Sequence, residues 1–294
     1  MDFIPAKQIV TKNKQSAHWF STEYNMNIYK GCCHGCIYCD SRSECYHIEN
    51  FDSVRAKENA LLIIDQDLQS KRKKGVISSG AMSDPYNPFE TREGLTRGAL
   101  DLIDKHRFGV HIMTKSNGIV RDIDLLNKIK RHSPVLICMT ITTINDDLCK
   151  KIEPRVATTS DRLVALKKLS DHNINTGVLM MPILPFLNDT VENIVGIVEA
   201  AARAGAKFVF PAFGVTLRQN QRDYYYEKLD RYFPGVKQKY INTYGYAYNC
   251  SSLNQKELYL TFQNACEKAN LLYKLKDINE LLKEENEVEQ LTFF

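Results

Sequence analysis

No apolar run in this sequence approaches the ~20 residues needed to cross a bilayer. The first twenty residues, MDFIPAKQIVTKNKQSAHWF, also lack the apolar stretch of roughly 7–15 residues that a secretory signal requires. Membrane-embedded and secreted classes are therefore set aside, and a cytoplasmic protein is expected. A strong charge of one sign is missing too. With 39 basic and 35 acidic residues the net charge is +4, which allows anionic partners without demanding nucleic acid. Neither a low-complexity linker nor an internal repeat is present, which removes solenoids and tethered modules. The 294 residues suffice for one large α/β domain or two ordinary ones, and 44% apolar with 25% charged residues is an ordinary globular composition.

Cysteine is unevenly spread. Five of the nine fall between positions 32 and 45. In a reducing compartment such residues are free, buried or metal-bound rather than paired. Cys138, Cys149 and Cys266 read as small core residues. The stretch GCCHGCIYCD, residues 31–40, holds four cysteines in eight positions, one more than a three-ligand site needs.

Most of the chain shows a βα rhythm. Strands are expected at 24–31, 75–82, 108–116, 134–142, 175–184 and 207–215. Helices are expected at 52–73 (Leu61, Ile64, Leu68), 92–106 (Leu95, Ala99, Leu102), 121–131 (Ile123, Leu126, Ile129), 160–172 (Leu163, Leu166, Leu169) and 191–206 (Val191, Ile194, Val198). PVLICMTIT at 134–142 is almost wholly apolar, as suits a strand buried on both faces of a parallel sheet. Six such units predict either an open doubly wound sheet or an incomplete barrel. Both arrangements bind ligands at the C-terminal strand ends. The cysteine loop lies on that edge. So do the turn Ser83–Glu90, the Thr114–Ser116 strand end and the Thr140/Thr142 strand end. Past Arg218 the rhythm stops. Residues 217–294 read as a C-terminal cap with one helix near 254–270, and residues 1–21 as an N-terminal extension.

Three ligand registers compete in the loop. A ferredoxin run, C-x2-C-x2-C-x3-C-P, needs a cysteine at position 43, where Ser43 stands. A compact zinc site can draw on Cys36 and Cys39 with Cys32 or Cys33, His34, Cys45 or His47. In the third register Cys32, Cys36 and Cys39 hold three irons of a [4Fe–4S] cluster, leaving the fourth open for a chelating small molecule. Glycines at 31 and 35 permit the tight turn. Cys250 and Cys266 are too few for a second cluster.

NIYKGCCHGCIYCD resembles the signature loop of radical S-adenosylmethionine (SAM) enzymes, C-x3-C-x-aromatic-C. SDPYNPFE, TKSNGIVRDIDLL, EPRVATTSDRLVALKKL, PILPFLND and YYYEKLDRYFPGVKQKY are similar to the corresponding segments of the spore photoproduct lyase-like (DNA repair photolyase-like) group. The resemblance covers residues 22–250. It implies a partial (β/α)6 barrel over 22–216 with a C-terminal α-rich cap, one [4Fe–4S] cluster and SAM. Reductive cleavage of SAM would yield a 5′-deoxyadenosyl radical that takes hydrogen from a substrate the sequence does not identify. An external flavodoxin- or ferredoxin-like electron donor is expected.

By position, the resemblance makes Cys32, Cys36 and Cys39 the iron ligands and places Tyr38 at the adenine. Ser83 and Asp84 would meet the SAM amino end, and Lys115 its carboxylate. Thr140 and Thr142 would meet the ribose or methionine part. The plainer readings are a turn cap for Asp84, a solvated strand-end lysine for Lys115 and β-branched strand formers for the two threonines. Two departures stand out. The stretch Gly80–Asp84 has no thiol where the resemblance implies a hydrogen-donating cysteine, and Asp40 follows the last cluster cysteine where tyrosine is usual. The alternatives are a DNA photoproduct lyase and a non-catalytic zinc or electron-transfer module. Tyr224, Tyr225, Tyr226, Tyr244, Tyr246 and Tyr248 read as cap packing, with a radical relay or base stacking as the other option. The run 71-KRKK-74 reads as a solvated cluster at a helix end.

Overall fold

The computed structural model describes residues 1–13, 20 and 22–287. The strands are β1 (Asp2–Ile4), β2 (Val10–Lys12), β3 (Tyr24–Met26), β4 (Tyr29–Lys30), β5 (Arg55–Lys57), β6 (Val76–Ser79), β7 (Gly109–Thr114), β8 (Val135–Thr140), β9 (Asn175–Ile183), β10 (Phe208–Thr216) and β11 (Asn249–Ser251). The helices are α1 (Ala60–Ser70), α2 (Glu90–Glu93), α3 (Leu95–Lys105), α4 (Ile123–Lys130), α5 (Asp146–Ile152), α6 (Thr159–Asp171), α7 (Val191–Arg203), α8 (Gln221–Tyr232), α9 (Val236–Tyr244), α10 (Gln255–Lys268) and α11 (Leu275–Glu287). The main sheet runs β11-β10-β9-β8-β7-β6-β3-β2. From β3 to β10 every pairing is parallel and in chain order. This is a partial (β/α)6 barrel, its edges extended by antiparallel β2 and β11.

The buried strands explain why apolar runs formed them. All residues of β6, β7 and β8 are buried. Their alternate faces go to different places. Val110, Ile112, Ile137, Met139 and Val178 pack outward under the helices. Met113, Leu136, Cys138, Leu179 and Phe208 pack inward, and there they meet Phe20 and Ile278. The lumen is thus filled by side chains from both ends of the chain. Helix α7 shows the local logic. The Thr190 hydroxyl accepts from the Asn193 amide as its cap, and Ile194, Val198 and Ala201 form the buried stripe.

Two expectations need correction. The helix expected over 52–73 begins only at Ala60. Residues 55–57 instead form β5, which pairs with β1 and β4 in a separate three-stranded sheet. The strand expected over 24–31 splits. Its first half joins the main sheet as β3, and Tyr29–Lys30 turns away to β5. The C-terminal region is α-rich, as expected. Helices α8 and α9 pack Tyr225, Leu229 and Tyr240 against the cysteine loop. Tyr225 and Tyr240 are buried with their hydroxyls 3.0 Å apart, whereas Tyr246 is 95% exposed. Among the described residues no helix is long and apolar enough to cross a membrane.

His111 sits inside the lumen between Ser78 (3.1 Å) and the Cys138 thiol (3.2 Å), with the Phe20 ring 4.8 Å away. Burial pulls its pKa down to about 3. The unfolded chain protonates it near pH ~6.5. Between these values the unfolded state binds more protons, so stability falls as the pH drops from about 6.5 toward 3. By about pH 4.5 the loss from this residue should reach roughly 2–3 kcal/mol. Urea denaturation of the wild type and His111→Gln at pH 7 and pH 4.5 checks this. The variant should lose less stability between the two, and equal losses would refute the account.

Candidate active site

The cysteine loop leaves β4 and turns sharply. Gly31 has φ +81°, and a Cβ there would lie 2.6 Å from the Ser53 carbonyl oxygen. The loop following β6 is held as tightly. Gly80 has φ +105°, and its Cβ would fall 1.9 Å from the Met113 carbonyl oxygen. The two loops are joined by the Ser83 hydroxyl, which donates to the Gly31 carbonyl oxygen at 2.6 Å.

Between them lies a cavity of about 80 Å3. It is lined by Cys32, Cys36, Tyr38 and Cys39 from the first loop, by Gly80–Asp84, and by Met113–Lys115 and Thr140 at the ends of β7 and β8; His34 and Ser41 complete it. Of the nine site residues named from the sequence, eight line this one cavity. Thr142 does not. The expectation that it faces the same way as Thr140 required the strand to continue, but β8 ends at Thr140. Thr142 is buried elsewhere, its carbonyl accepting from Asn188 and Asn193 and its hydroxyl without a partner. Cys33 does not line the cavity either; it packs against the main core. A wider cleft of about 490 Å3 opens on the far side of His34, between Asn87, Asn117, Arg121 and Arg155.

The thiols are held in low dielectric. Burial pushes Cys32 up to about 12 and Cys36 well above the ordinary thiol value. Burial raises Cys39 as well, with Lys115 acting the other way. Burial disfavours the charged form of Lys115, but the surrounding Cys36 and Glu153 outweigh this and hold it as an ammonium. Its Nζ lies 5.7 Å from the Tyr38 ring centroid. A cation beside the buried Cys36 and the half-buried Cys32 and Cys39 suits thiolates bound to a metal centre. Among the described residues no three His, Cys, Asp or Glu side chains are grouped closely enough to hold a single metal ion. Three cysteines lining one cavity are a donor set that fits an iron–sulfur centre. The volume has to grow for a SAM-sized ligand, and Met82, a flexible thioether, is a wall side chain able to move aside.

Asp84 is largely engaged by the fold. It accepts from the Tyr86 amide (2.9 Å), the Thr114 hydroxyl (2.7 Å) and the Lys115 amide (2.8 Å), and lies 3.6 Å from His34 Nδ1. It caps the turn before Pro85 and also fastens the β6 loop to the end of β7.

Two charged residues absent from the sequence-based site complete it. The Tyr38 hydroxyl donates to Glu153, a fully buried carboxylate, and Arg162 meets Glu153 at 2.6 Å with both side chains at 0% exposure. The Arg162 guanidinium also donates to the carbonyl oxygens of Thr140 (2.9 Å) and Ala157 (2.8 Å). Burial and Glu153 keep the Tyr38 phenol protonated. One signal for Arg162 was in the sequence. It stands four and seven residues before Leu166 and Leu169, on the apolar stripe of α6, where a charge implies a buried partner.

Comparisons with known proteins agree with this geometry. The sequence pattern of the Radical SAM superfamily matches residues 26–201, more than half of the chain. An uncharacterized protein of Methanocaldococcus jannaschii is 37% identical over 177 residues, covering 59% of this chain and 65% of its own length. One of Mycobacterium tuberculosis is 26% identical over 228 residues, or 75% of this chain and 67% of its own. Among solved structures, spore photoproduct lyase with dinucleoside spore photoproduct superposes with TM-score 0.65 at 14% identity, covering 90% of this chain and 79% of the other. The radical SAM methyltransferase TsrM from Kitasatospora setae reaches 0.50 at 13% identity over 67% of this chain and 37% of its own.

Proposed function

Because this chain belongs to the radical SAM superfamily, and its fold is that of spore photoproduct lyase, we propose that it cleaves SAM reductively and uses the resulting radical to take hydrogen from an organic substrate. The observation that carries the proposal is the single cavity walled by Cys32, Cys36 and Cys39 with Lys115 opposite. When bound there, a [4Fe–4S] cluster and SAM supply one-electron cleavage of the sulfonium C5′–S bond, giving methionine and a 5′-deoxyadenosyl radical. The three cysteines present sulfur to iron. Lys115 pairs with the SAM carboxylate as a point charge. Thr140 and Tyr38 flank the nucleoside part, and Ser83 fixes the loop that borders its amino end. The packed lumen keeps water from the reacting groups. An external one-electron donor of the flavodoxin or ferredoxin kind supplies the electron, and the partial barrel of residues 22–216 with its 217–294 cap forms the working unit. Anaerobic reconstitution with iron and sulfide, then dithionite and SAM, should yield 5′-deoxyadenosine; none from iron-loaded protein refutes the reading.

A DNA photoproduct lyase is the substrate reading favoured by the fold's likeness to spore photoproduct lyase over 90% of this chain. The loop Gly80–Asp84 offers no thiol, so any hydrogen return to product comes from elsewhere. Repair of a dinucleoside spore photoproduct by loaded enzyme decides it, and absence of turnover alongside 5′-deoxyadenosine production excludes it.

Lys115→Ala should raise the KM for SAM on the order of tenfold to a hundredfold, the worth of one charged hydrogen bond. Iron content should be unchanged. An unaltered KM would mean that Lys115 only balances buried charge.

A further inference from the structure

Resting on the radical SAM reading, we propose that the buried Glu153–Arg162 pair is a positioning device: it holds the cysteine loop in its ligand-presenting conformation and sets the charge felt by the iron–sulfur centre.

The segment Ile152–Arg155 grips the loop at three points. The Ile37 amide donates to the Ile152 carbonyl oxygen (2.9 Å), the Arg155 amide donates to the His34 carbonyl oxygen (3.1 Å), and the Tyr38 hydroxyl donates to Glu153. These contacts lie within and beside the Cys36–Cys39 span. Arg162 then ties the grip to the barrel, through Glu153 on one side and the Thr140 carbonyl at the cavity rim on the other.

Stability alone is a weak reason for such a pair. Taking two ions out of water costs nearly as much as their attraction returns, and apolar residues of the same volume often do as well. An apolar pair, however, offers no acceptor to the Tyr38 hydroxyl and no charge. Around the thiols stand two cations, the half-buried Lys115 and the buried Arg162, and two buried carboxylates, Glu153 and Asp84. Removing the Glu153 charge leaves the two cations in excess over Asp84 and favours the more negative, reduced state of a bound centre.

Two variants separate the two roles. Glu153→Gln keeps an acceptor for Tyr38 and removes the charge, and Tyr38→Phe keeps the charge and removes the grip. In the full chain without metal, alkylation of Cys36 and Cys39 is followed by mass spectrometry, with buried Cys138 and Cys266 as internal references. Tyr38→Phe should label Cys36 and Cys39 at least fivefold faster and leave the references unchanged. In iron-loaded protein, Glu153→Gln should move the midpoint potential upward by a tenfold change in the reduction equilibrium, ~59 mV for one electron, while Tyr38→Phe moves it little. Wild-type labelling rates in Tyr38→Phe overturn the positioning role, and an unmoved potential in Glu153→Gln overturns the charge role. If Glu153→Gln does not fold, Arg162→Lys serves; it keeps the charge and loses the forked contacts, so it should label like Tyr38→Phe, and wild-type rates overturn the grip. Wild-type protein that takes up no iron overturns the radical SAM reading instead and leaves the labelling result standing.

Discussion

Replacing Cys39 with alanine should leave a protein that retains almost no iron or sulfide and forms 5′-deoxyadenosine at least roughly a thousandfold more slowly, if at all, a barrier difference of ~4 kcal/mol or more. The reason is geometric. Cys32, Cys36 and Cys39 wall the same cavity, so each removal takes one iron's only protein thiolate. The internal control is the neighbouring thiol. Cys33 faces the core with Arg155 and Asp52 as its nearest charges, so Cys33→Ala should retain iron, sulfide and activity within about twofold. The comparison is made by iron and sulfide analysis together with product formation. If Cys33→Ala empties the site and Cys32→Ala does not, the ligand assignment is wrong.

The second large effect is on stability. Arg162→Met should destabilise the metal-free protein by about 3–5 kcal/mol, because it strands the Glu153 carboxylate in the interior without its counter-ion. It also leaves the Thr140 and Ala157 carbonyls short of a donor. The double variant Arg162→Met with Glu153→Met should recover at least half of that loss, since no charge is then left buried and unpaired. Urea denaturation of the metal-free proteins measures both. A single variant within ~1 kcal/mol of wild type would show that water or a local rearrangement reaches Glu153.

Much of this was legible beforehand because the relevant signals are local. The stripe Ile194, Val198 of α7 and the apolar run of β8 fix element type within a few neighbours, and their order fixes a parallel sheet whose C-terminal edge must carry the cysteine loop. The cysteine spacing is equally local. What escaped was set by distant partners. Arg55–Lys57 is a strand because Asp2–Ile4, some fifty residues earlier, lies beside it. Thr142 left the cavity because β8 stops two residues sooner than its composition suggests. Glu153 is the clearest instance: a glutamate at a helix end before proline reads as solvated, and Arg162 and Tyr38, nine and 115 positions away, are what make burial tolerable, with the Cys149 thiol as a further donor.

The lumen carries one more consequence. The eight-stranded main sheet is open, with β11 at one edge and β2 at the other and no pairing between them among the described residues. Phe20 and Ile278 sit together in its hollow, with Phe208 between the N-terminal segment and the last helix. Side-chain contact thereby closes a ring that hydrogen bonds leave open. Residues on either side of the six strands become neighbours, so the interior is not fully packed until residues as late as Ile278 are in place. Displacing either Phe20 or Ile278 exposes the same apolar interior, so the two segments that carry them are coupled through it.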